Sequence, residues 1–115
     1  MKKFVVIYRV PVEVMQEWRT NTSPEEMKKQ GEKLGAEMMA WMKKYENSII
    51  DKGLPLGKNT RVSSEGVKEV SNDLNAYVVV EADDAEAVAE MFKDNPHTQI
   101  PKAYLDIMEV PYMGM

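Results

Sequence analysis

The sequence predicts a single α+β domain, and three observations carry that expectation. Two segments, 3–10 and 76–80, are apolar at both parities, as strands covered on both faces must be. Two others open with helix-capping residues and continue with apolar side chains at helical spacing. At 115 residues, with 43% hydrophobic and 30% charged residues, the chain has the length and balance of one globular core.

In the first strand Phe4, Val6, Tyr8 and Val10 lie on one side and Val5 and Ile7 on the other, and Pro11 ends it. Residues 12–19 are expected to form an irregular helical turn. Ser23-Pro24-Glu25-Glu26 is a helix start: Ser23 can cap the free amides, Pro24 suits the first helical position, and Glu26 completes a capping box. Met27, Gly31, Leu34, Met38, Trp41, Tyr45 and Ile49 then recur as one stripe. The helix is expected to close near Lys52-Gly53, with a break or kink near Gly31 or Gly35. Leu54-Pro55-Leu56-Gly57 is a connector. Segments 59–63 and 67–70 read as two strands around the turn Ser64-Glu65-Gly66. After the polar loop Asn72–Asn75 comes strand 76–80. Asp83 with Glu86 is a second capping box, opening a helix to about Lys93 that Asn95-Pro96 stops. Residues 104–110 form the last strand.

Two helices separated by a hairpin, with strands at both ends, is the ferredoxin-like βαββαβ pattern. It places both helices on one face of an antiparallel sheet. The other face would then expose the second apolar side of strands 3–10 and 76–80, so sheet-to-sheet homodimerisation is expected. Residues 1–115 are read as one domain.

Composition narrows function by exclusion. Without cysteine there is no disulfide framework, thiolate nucleophile or cysteine-ligated metal, and one histidine leaves no His-rich metal site. No metal or cofactor is expected. A net charge of −4 and a pI near 5.1 argue against nucleic acid as a partner. The lysine pairs Lys28-Lys29 and Lys43-Lys44 are interleaved with acids, as on a solvated helix face. No segment has the ~18 apolar residues of a membrane span. The apolar run after Lys2-Lys3 stops at Arg9, too short for a signal-peptide core, so a cytoplasmic address is expected.

The opening strand ending Ile7-Tyr8-Arg9, the Ser23-Pro24-Glu25-Glu26 start, Asp73-Leu74-Asn75-Ala76-Tyr77 running into Val78–Asp84, Asn95-Pro96-His97 and the strand Leu105–Val110 form an ordered set. Over nearly its whole length the chain thereby resembles the YCII-related family of the dimeric α/β-barrel superfamily. The resemblance implies a ferredoxin-like homodimer. Many members carry an Asp-Gly-Pro-Phe segment before the central strand. Here that region reads Val70-Ser71-Asn72-Asp73, and the segment is missing. Some members pair a histidine near the first strand with an aspartate for small-molecule chemistry. Here Arg9 stands at that place and the only histidine is His97.

His97 is the one side chain whose ordinary pKa suits proton transfer near neutrality, and it is the candidate catalytic residue. Just past a helix C-terminus, it would be favoured as imidazolium by the helix dipole, whether as acid, anion anchor or simple partner of frayed carbonyls. Arg9 ends an apolar strand and must reach an ion pair or a bound anion. Asp106 and Glu109 lie at opposite parities, and Asp106 can pair with Arg9 if the terminal strands are neighbours. Asp73 and Asn75 are turn formers or line a cleft mouth. Arg9, Asp73, Tyr77 and Asp106 are the candidate ligand-binding residues, although Tyr8 and Tyr77 also suit core or interface packing. Met38, Met39 and Met42 among ten methionines raise a thioether metal site or haem contact, against adaptable packing with Trp41. The leading expectation is a homodimer binding a small, anionic organic molecule, with cofactor-free elimination, isomerisation or hydrolysis by His97 and Arg9. A non-catalytic binding or interaction module is the alternative.

Overall fold

The computed structural model describes residues 1–111. The chain runs β1 (Lys2–Arg9), α1 (Val12–Asn21), α2 (Pro24–Lys44), β2 (Ile49–Asp51), β3 (Asn59–Ser63), β4 (Gly66–Val70), β5 (Leu74–Ala82), α3 (Ala85–Phe92), a 3-10 turn (Pro96–Gln99) and β6 (Tyr104–Val110). The main sheet is antiparallel with strand order β2-β5-β1-β6, the ferredoxin-like arrangement. Val6 pairs with Val78 on one side and with Ile107 on the other, so β1 is a central strand.

Both helices of the pattern cover one face. Phe4, Val6 and Tyr8 from β1 and Val78, Val80 and Ala82 from β5 are buried there against Trp41 of α2 and Val88, Met91 and Phe92 of α3. Met38, Met42 and Tyr45 pack around that core, which gives two of the methionines a packing role. Alternation sends Val5, Ile7, Tyr77 and Val79 to the opposite face, away from α2 and α3, where each is half-buried. Met108, paired with Val5, is 46% exposed.

The helix starts behave as their capping chemistry requires. Ser23 Oγ accepts from the Glu26 amide at 3.1 Å, and Asp84 Oδ1 accepts from the Ala87 amide at 2.8 Å. The cap of α3 is therefore Asp84, one residue past the Asp83 expected from sequence. Residues 12–21 form a full helix, α1, rather than one irregular turn. No break occurs at Gly31 or Gly35, because α2 is continuous over 21 residues and nothing approaches either glycine.

Two further expectations are corrected. The stripe ending at Ile49 suggested helix to residue 52, but α2 stops at Lys44, and Tyr45–Ser48 turns the chain through Ser48 N to Tyr45 O at 2.9 Å. The β-branched pair Ile49-Ile50 then enters an edge strand against β5. This β2 is the second strand of the ferredoxin-like sheet. The hairpin 59–70 is an insertion forming its own two-stranded sheet, with Val62 opposite Val67. Gly53, after β2, has φ +70°, and a Cβ there would overlap the backbone carbonyl of Tyr77. Among the described residues, no helix is long and apolar enough to cross a membrane.

Candidate functional site

The end of the sheet where β1 stops gathers the polar side chains, and the strand divides them between its two faces. Arg9 projects from the helix-free face. Its Nη1 donates to Asp73 Oδ1 at 2.5 Å, and its Nε lies 2.6 Å from Asp106 Oδ2. Tyr104, paired with Arg9 across β1 and β6, donates its hydroxyl to Asp73 Oδ2 at 2.6 Å. Asp73 thus has both carboxylate oxygens engaged. The hydrogen bond from Tyr104, then the Arg9 guanidinium, hold its carboxyl below the usual carboxylate range. The same bond pushes the Tyr104 hydroxyl up.

One guanidinium therefore faces two carboxyl groups, a charge-assisted network at the surface. The Arg9 Nε is buried against Asp106 Oδ2, an ion-pair contact whose N–H is poorly aligned for a hydrogen bond. Tyr77 stands opposite Ile7 in the cross-strand row that also holds Asp106, one row from Arg9 on the same face. Arg9, Asp73 and Asp106 are thus together, with Tyr77 at their margin. Tyr104 was missed, although it shares the parity of Asp106 on one strand, a period-two signal that could have found it.

His97 lies on the other face. The 3-10 turn carries it against Tyr8, with ring centroids 5.0 Å apart and planes stacked at 29°. Its Nε2 is 2.9 Å from the backbone oxygen of Arg9. A carbonyl only accepts, so Nε2 bears the proton in this arrangement. The ring is 4% exposed, and burial pushes its pKa down. That favours neutral imidazole, against the helix-dipole expectation of imidazolium: desolvation outweighs the dipole where water is excluded. Asn95, fully buried, sets the turn. Its Oδ1 accepts from the His97 amide at 2.9 Å and its Nδ2 donates to the Tyr8 hydroxyl at 3.2 Å. His97 and the Arg9 side chain thus lie on opposite faces of the sheet, and His97 meets the cluster through the backbones of Arg9 and Tyr104. Among the described residues no cluster of His, Asp and Glu is arranged to hold a metal.

No protein-family model matches the chain, and no curated protein matches it. Among solved structures, it is similar to 5-chloro-2-hydroxyhydroquinone dehydrochlorinase from Burkholderia phenoliruptrix AC1100 in complex with 2,5-dihydroxybenzoquinone. The likeness covers 96% of this chain and 92% of that one, at 13% identity and a TM-score of 0.51. It is a likeness of fold: the chain has the ferredoxin-like α+β fold of that enzyme.

Proposed function

We propose that the protein is a homodimer closed through its helix-free sheet faces, and that it binds a small, oxygen-bearing organic molecule where Arg9, Asp73, Tyr104 and Asp106 meet that interface. The carrying observation is the convergence of one guanidinium, two carboxyl groups and the Tyr104 hydroxyl on the helix-free face. A ligand hydroxyl could donate to Asp106, and a ligand oxygen could accept from the remaining guanidinium N–H groups of Arg9. Because the guanidinium is already shared by two acids, this chemistry suits a hydroxyl-and-carbonyl compound better than a bare anion. The ring ligand named with the dehydrochlorinase is of that kind. In one copy the cluster lies on an open face, and a second copy would roof it. The apolar residues Val5, Ile7, Val79 and Met108 supply the contact surface.

Should catalysis occur, proton transfer falls to the Asp73–Tyr104 pair, which shares a face with the proposed ligand. The sealed environment of His97 favours a positioning role for that ring, and with it the non-catalytic alternative. Sedimentation at micromolar concentration should give about twice 13.1 kDa, and Ile7→Lys should give a monomer. Backbone-amide NMR with 2,5-dihydroxybenzoquinone should then shift residues 72–74 and 104–106 in the parent protein, and less in Tyr104→Phe. A monomeric parent overturns the dimer, and shifts confined to other residues overturn the site.

A further inference from the structure

The helix α1 and the base of the inserted hairpin enclose a cleft of about 510 Å³, lined by none of Arg9, Tyr77, Asp73, His97 and Asp106. Its helical wall is one face of α1: Val12, Met15, Gln16 and Arg19 stand at positions i, i+3, i+4 and i+7. The facing walls come from the connector at Leu56–Asn59 and from Glu69–Asn72 with Leu74 and Asn75. This is a built concavity rather than a packing gap, because each wall is fastened elsewhere. Leu56 N donates to Asn75 O at 2.8 Å, Val10 N to Asp73 O at 3.0 Å, and Leu74 N to Asn72 Oδ1 at 3.0 Å. The helix itself rests on α2 through Trp18 Nε1 to Gln30 Oε1 at 2.6 Å, which leaves its Val12–Arg19 face to the cleft.

The charges inside decide the ligand class. Glu69 is the only carboxylate in the lining, and Lys58 lies 3.5 Å from it. Arg19 makes no ion pair among the described residues. The cleft therefore carries one uncompensated cation in a chain of net charge −4. At the opposite end of the same helix face, Val12 and Met15 with Leu56 and Leu74 offer apolar surface. We propose that this cleft is a second ligand site, which takes an organic monoanion with a compact apolar body, its carboxylate on the Arg19 guanidinium and its body against Met15 and Leu56. A volume of about 510 Å³ matches a small aromatic or short-chain acid. A polyphosphate would need more than one free cation. The site lies within one protomer, so it does not depend on the dimer or on the cluster at Arg9.

Benzoate and benzamide are the probes, because they share a body and differ in charge. Amide-shift titration of the 115-residue chain at neutral pH should move residues 15–19, 56–59 and 69–75 with benzoate. Arg19→Gln should weaken benzoate by about tenfold, as loss of a charge-assisted pair predicts, and leave benzamide unchanged. Met15→Glu, which adds a carboxylate to the cleft, should abolish benzoate binding with the fold intact by circular dichroism. Unchanged benzoate affinity in Arg19→Gln, or equal binding of benzoate and benzamide, overturns the proposal. So does an absence of shifts in the cleft. Shifts confined to Arg9, Tyr104 and Asp106 would overturn this cleft while supporting the sheet-face site, so the two readings fail separately.

Discussion

Trp41 joins the long helix to the rest of the core, and truncating it should be among the most damaging single changes in the chain. Its ring is 4% exposed and packs on Phe92 and Tyr45 with centroids 4.6 and 5.0 Å away. Its Nε1–H donates to the Met91 carbonyl at 3.0 Å and reaches Asp94 Oδ1 at 3.2 Å. Trp41→Ala therefore removes a large buried ring and strips the Met91 carbonyl of its indole donor. Burial alone places the loss at about 3–5 kcal/mol, and the lost donor pushes it toward the upper end. Trp41→Phe keeps most of the ring volume but still lacks the donor, so about 1–3 kcal/mol is expected. Urea unfolding followed by circular dichroism, at one fixed protein concentration, measures both. The midpoint should fall with little change in slope. A loss below about 1 kcal/mol for Trp41→Ala would refute the reasoning, since it would mean that α2 is not anchored through this ring.

Two further perturbations test the fold around the candidate site. Gly53→Ala should cost about 2–4 kcal/mol, from a left-handed backbone and the overlap with the Tyr77 carbonyl; hydrogen exchange should show β2 losing protection first, and an unaffected β2 would count against the placement of Gly53. Burial depresses the His97 pKa below its ordinary value of 6.5, so the unfolded chain binds the extra proton first as pH falls. Stability should be level above about pH 6.5, decline below it, and flatten once the folded protein protonates too; His97→Phe should abolish that slope, and a parent protein equally stable at pH 5.5 and 7.5 would refute a buried neutral ring.

The parts of this structure legible in the sequence were those fixed by local pattern. The two-sided apolar strands at 3–10 and 76–80, the cap at Ser23 and the stop at Asn95-Pro96 each rest on a few adjacent residues, and each is found where expected. The short strand at Ile49–Asp51 was not legible, because Ile49 continues the four-residue spacing of Trp41 and Tyr45. Only tertiary pairing with Val80 decides for strand. The pairing of Arg9 with Asp106 followed once the terminal strands were supposed neighbours. Its pairing with Asp73 spans 64 residues and depends on where the loop before β5 lands. The separation of His97 from the Arg9 side chain was invisible for a related reason: adjacent residues on a strand face opposite ways, and nothing local says which one a distant turn will meet. The cleft beside α1 leaves one readable trace in the sequence, the helical spacing of Val12, Met15, Gln16 and Arg19.

The central place of β1 has a consequence for how the chain reaches its native state. β1 is the first strand to be made, yet both its partners come late: Lys3 pairs with Glu81 and with Val110. Native pairing on either side must wait until most of the chain exists, and the loops to be closed are nearly as long as the molecule. Until then Phe4–Tyr8 is an apolar, β-prone segment with two open edges, the sort that joins a neighbouring chain when its own partner is absent. Lys2 and Lys3 at its start add repulsion between such segments. Folding should accordingly be slow for a domain of this size, and truncation before β6 should favour aggregation over a soluble fragment.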